Sequence, residues 1–104
     1  MKLKIKPIQL GDLQFSIAIT NTAMAEYEEM TGEAWPSFKN TRLRIQFFYC
    51  IAKEGARIEA KPFDYSFDAF WTLVDGYYFE ILNNVMPVIF ELMPKGKDSG
   101  EKKR

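Results

Sequence analysis

Between Tyr77 and Met93 the chain places Ile81, Leu82, Val85, Met86, Val88, Ile89, Phe90 and Leu92 around the whole circumference of a helix, then changes abruptly to charge. A helix with one apolar stripe needs one neighbour, whereas a helix apolar all round needs cover on every side, from its own domain or from another chain. A chain of 104 residues has room for one domain, which buries roughly two-thirds of the surface its unfolded form exposes. The sequence therefore reads first as a binder whose closing helix is sheltered in part by another polypeptide.

Apolar residues make up 47% of the chain and aromatics 15%, which is the composition of a folded globule. Basic and acidic residues both number 14, so no net field draws the protein to nucleic acid or to an anionic membrane. Cys50 stands alone inside an apolar helical pattern, which excludes an intrachain disulfide framework and suits a reducing cytoplasm. The opening Met1 to Lys6 alternates lysine with Leu3 and Ile5 and does not have the pattern of a signal peptide. The last apolar stretch contains Asn83, Asn84, Pro87 and Glu91 and is too short and interrupted for a bilayer span.

The expected fold is mainly α (α+β), with an N-terminal β-hairpin over 2–19 followed by four helices over about 21–31, 41–54, 67–75 and 77–93. Leu13, Phe15, Ile17 and Ile19 alternate, as do Leu3 and Ile5, with Gly11-Asp12 as a two-residue turn between the runs. Pairing Leu10 with Leu13 would carry Lys6 and Lys4 to the buried side, so a bulge at Pro7 is predicted to restore the parity, with Lys2, Lys4 and Lys6 guarding an edge strand.

The first helix follows cap oxygens at Thr20, Asn21 and Thr22, turns Ala23, Met24, Tyr27 and Met30 inward, and stops at Gly32. Trp35-Pro36 forces an extended step. The second helix starts at Asn40 or Thr41, buries Leu43, Phe47, Cys50 and Ile51, and is predicted to end at Gly55 before a connector over 57–65. Ser66 caps the third, where Phe67, Phe70, Trp71 and Val74 share a stripe and Gly76 terminates. The fourth is predicted to kink at Pro87 into two angled halves. Residues 1–94 form a single domain, and 95–104, all glycine, serine and charge, a disordered tail.

The chain has no histidine, which excludes triads and imidazole metal sites, and one cysteine cannot build a thiolate zinc site. Glycine-rich phosphate loops are missing, and no cofactor is implied. Glu26, Glu28, Glu29 and Glu33 read as a solvated helix face rather than an acid/base pair or a hard-cation site. Lys39, Arg42 and Arg44 read as partners of neighbouring glutamates in preference to an anion site. Phe67, Phe70 and Trp71 at helical spacing read as core before ligand stack.

The run Ala23-Met24-Ala25-Glu26-Tyr27-Glu28-Glu29-Met30-Thr31-Gly32, after a β segment ending in Phe15 to Ile19, resembles the opening of phage tail assembly chaperones. Ser37 to Tyr49 resembles their second helix and Ser66 to Asp75 their third; Pro87 and the elaborate hairpin depart from the pattern. The resemblance implies a small cytoplasmic protein from a phage or prophage tail cluster that is not an enzyme. Such a protein coats the tape measure protein, keeps it soluble until tail tube protein polymerises around it, self-associates, and is then shed. Many relatives also exist in a longer, frameshifted form. The expected partner-binding surface is Tyr78, Ile81, Leu82, Val85 and Leu92, together with Phe67 and Trp71. The competing expectations are a structural tail or head completion protein retained in the particle, and an enzyme or small-ligand binder with a pocket between the hairpin and the aromatic helix.

Overall fold

The computed structural model describes residues 4–34 and 36–93. The expectations for Lys2, Leu3, Trp35 and the 95–104 tail lie outside these residues. Strands β1 (Lys6–Leu10) and β2 (Leu13–Ile17) form an antiparallel hairpin, followed by helices α1 (Asn21–Thr31), α2 (Thr41–Ile58) and α3 (Phe67–Val74). A 3-10 turn (Asp75–Tyr77), a short α4 (Tyr78–Glu80), a π-helical stretch (Ile81–Val85) and α5 (Met86–Leu92) then follow without a break. The protein is mostly helical with an N-terminal hairpin, as the sequence predicts.

The hairpin differs from expectation at Pro7. Gly11 takes φ +57 and closes the two-residue turn, and the register runs unbroken through Leu10↔Leu13, Ile8↔Phe15, Pro7↔Ser16 and Lys6↔Ile17. No bulge is needed, for two reasons. Alternation from the turn puts Pro7 in a non-hydrogen-bonded pair, where the missing N–H would have pointed away from β2. Lys6 does fall on the core side, but its ammonium reaches out to Glu91 at 3.7 Å, and the ladder stops there, before Lys4. Tyr77 lies over Gly11, where a Cβ would come within 2.7 Å of the phenolic oxygen.

The caps of α1 to α3 are local and follow the sequence. Thr20, Asn40 and Ser66 accept from the amides of Ala23, Leu43 and Ala69, and Gly32 at φ +77 closes α1 by donating to the Glu28 carbonyl. The predicted stop at Gly55 is corrected: α2 runs through it to Ile58. Gly55 is instead a contact point, since a Cβ there would sit 2.0 Å from the Ser16 carbonyl oxygen. Ala52 and Ala56 flank it and are buried, so β2 lies almost on the helix backbone, and Ala18 N–H donates to the Ile51 carbonyl at 3.1 Å. The helix ends later in a Schellman arrangement, with Lys61 N–H to Ala56 O, Ala60 N–H to Arg57 O, and Ala60 itself at φ +57.

The core is aromatic. Phe15, Phe48 and Phe70 meet edge to face at 5.2 to 5.6 Å. Two buried tyrosines tie the connectors down: the Tyr27 hydroxyl accepts from Ser37 N–H and donates to Ser37 O, and the Tyr49 hydroxyl donates to Tyr65 O at 2.7 Å. Burial raises both phenols above their ordinary value.

Candidate functional site

The last helical segment, residues 78–92, is where the sequence predicts a surface, and its geometry follows from Pro87. A proline inside an α-helix lacks its amide donor and clashes with the carbonyl four residues back. Here the backbone widens just ahead of it, and Met86 N–H bonds to Ile81 O, five residues back. The irregularity thus takes the form of a π-turn over Ile81–Val85. Ile81, Val85, Met86 and Ile89 turn inward and are buried.

This corrects the expected contact surface. Ile81 and Val85 are core residues and unavailable to a partner. Leu82 and Leu92 are half-buried against the core, as are Phe67, whose ring meets Tyr49 edge-on, and Trp71, which Arg42 covers at 5.5 Å. Tyr78, at 40% exposure, stays at the surface. The most open large apolar side chains of the segment are two that the sequence does not single out, Phe79 at 71% and Phe90 at 54%. A signal for them existed. Glu80, Asn83, Asn84, Pro87 and Glu91 recur at three- and four-residue spacing and are all exposed, so they mark a solvent stripe, and Phe79 and Phe90 stand within it. Phe90 rests edge-on against Phe38, which in turn meets Phe47 of the core. Phe79 touches Tyr78, with ring centroids 5.4 Å apart.

Comparison with protein families, curated proteins and solved structures finds no match.

Several of the remaining chemistry-bearing groups are engaged elsewhere. Glu26 pairs with Lys53 of α2 at 2.8 Å, while Glu28 and Glu29 face solvent. The basic group does not pair with glutamates among the described residues: Arg42 stacks on Trp71, and Arg44 donates to Phe38 O and to the Thr41 hydroxyl. Glu54 is a site that the sequence reading missed. It is only 3% exposed, and Arg57 first and the Thr20 hydroxyl second hold its carboxyl below its ordinary range. Burial pushes the Cys50 thiol up to about 12, so it stays protonated and unreactive.

A concave space of about 440 Å³ lies between the hairpin, the small-residue face of α2 and the connector, with Phe15, Ala52, Ala56 and Phe63 among its walls. Several of the polar side chains along it are hydrogen-bonded or ion-paired. Gln14 donates to Gln9, and Glu59 takes the Ser16 hydroxyl at 2.6 Å and Lys61 at 3.2 Å. No helix among the described residues is long and apolar enough to cross a membrane.

Proposed function

We propose that this chain is a non-enzymatic binding protein that masks apolar helical surface on another polypeptide. On the resemblance set out above, it is a phage or prophage tail assembly chaperone acting on the tape measure protein in the host cytoplasm. The observation that carries the proposal is the pair of phenylalanines, Phe79 and Phe90, standing in water within a polar stripe after the fold has filled its core. Covering such side chains releases roughly 2 kcal/mol each, which suits binding that can be reversed when tail tube protein takes over. The same reading has the chain self-associating and leaving before the particle is complete.

The test is co-expression with the long helical reading frame of the same tail cluster. The expected result is that the tape measure protein becomes soluble and co-purifies, and that mass spectrometry of purified virions lacks this chain. A tape measure protein that remains insoluble overturns the proposal. Abundant copies in virions would favour the retained structural protein instead.

A further inference from the structure

We infer that the turn bearing Tyr78 and Phe79 docks a basic amphipathic helix, one with Lys or Arg beside its apolar stripe. The inference rests on the reading of this protein as a polypeptide binder and adds the chemistry of the partner. Two rings in contact, one of them 71% exposed, supply an apolar anchor. Charge decides what can cover it.

From Pro62 to Pro94 the sequence contains Asp64, Asp68, Asp75, Glu80 and Glu91 but no Lys or Arg. Glu91 is drawn to Lys6; the other four are exposed and join no ion pair among the described residues. Asp75 stands four residues before Phe79 and Glu80 directly after it, both exposed, so the chain on either side of the aromatic pair carries negative charge, and the Arg42 guanidinium that reaches this stretch is stacked on Trp71. A second copy presenting this face would meet like charge, and an acidic helix would do the same. A neutral apolar helix would leave the rim carboxylates without partners. A helix that flanks its apolar stripe with Lys or Arg satisfies both rings and rim. Phe90 differs, because its neighbour Glu91 is already engaged and its ring already rests on Phe38.

The test uses the full chain and two labelled helical peptides of about 18 residues, one of leucine and lysine and one of leucine and glutamate in the same pattern, with binding read by fluorescence anisotropy. The lysine peptide is expected to bind and the glutamate peptide not to. Phe79→Ala should weaken binding about tenfold, and Asp75→Lys with Glu80→Lys by a similar factor, with the effect shrinking as salt rises. Glu28→Lys with Glu29→Lys, an acidic pair without exposed aromatics, should change binding less than about twofold. Circular dichroism identifies any variant that fails to fold. Equal binding of both peptides, no binding of either, indifference to Phe79→Ala, or equal losses at the α1 pair overturns the inference. Solubilised tape measure protein without peptide binding would sink this inference and leave the chaperone reading standing. Peptide binding beside insoluble tape measure protein would do the reverse.

Discussion

Helix α2 and the segment over 78–92 are both rich in apolar residues on more than one side, yet they meet different ends. Ten residues of α2 are buried, from Ile45 through Ala56, because neighbours reach it on several faces: β2 over Gly55, α1 through Tyr27 and Phe47, and α3 through Phe70. The 78–92 segment lies on the outside of that assembly and is covered on one side, so Ile81, Val85, Met86 and Ile89 are buried while Phe79 and Phe90 are left out. Apolar content around a helix does not identify an interface. Position among the neighbours does.

The contrast can be attacked at its strongest point by placing a charge on the inward side. Ile81→Asp strands a carboxylate in the core and should cost about 4 kcal/mol or more, enough to unfold the domain. A cooperative urea transition near that of the wild type would mean that the segment is not docked as described. Gly55→Ala comes next. Its methyl would meet the Ser16 backbone rather than a movable side chain, and about 3 kcal/mol should be lost; a loss below about 1 kcal/mol would show that β2 does not rest on α2.

Glu54 sharpens the comparison through pH. Its folded carboxyl lies below the ordinary value of 4.5, so its contribution is fully present above that value and is lost as pH falls through the folded one. Glu54→Gln should remove this part of the acid sensitivity and cost about 1 kcal/mol at neutral pH, since Arg57 is open to water. An unchanged pH profile of the urea midpoint would count against the Glu54–Arg57 pair. The smallest effect is a gain: Ala60→Gly relieves a left-handed alanine and should raise stability by about 1 kcal/mol, whereas a loss would show that α2 ends in some other way.

The helix starts were legible because a cap is a local device: Thr20, Asn40 and Ser66 each need only the amide three residues on. Gly55 is ambiguous in sequence because the glycine that ends a helix and the glycine that admits a strand against it are the same letter, and only the tertiary partner tells them apart. Ala60 could not be read as a cap, since alanine carries no αL preference. Pro7 reads as a bulge only if Lys4 and Lys6 must avoid the core side, whereas the ladder ends before Lys4 and the Lys6 ammonium reaches out to Glu91. In the last segment, counting apolar residues obscured the polar stripe of Glu80, Asn83, Asn84, Pro87 and Glu91. That stripe places Ile81 and Val85 inside, and Phe79 and Phe90 outside.

The central claim is that Phe79 serves binding and not folding. Phe79→Asp tests it most directly, by its urea unfolding free energy measured beside its ability to keep co-expressed tape measure protein soluble. The account predicts stability within about 0.5 kcal/mol of wild type and loss of the solubilising effect. A variant that unfolds, or one that still holds the partner in solution, would contradict it.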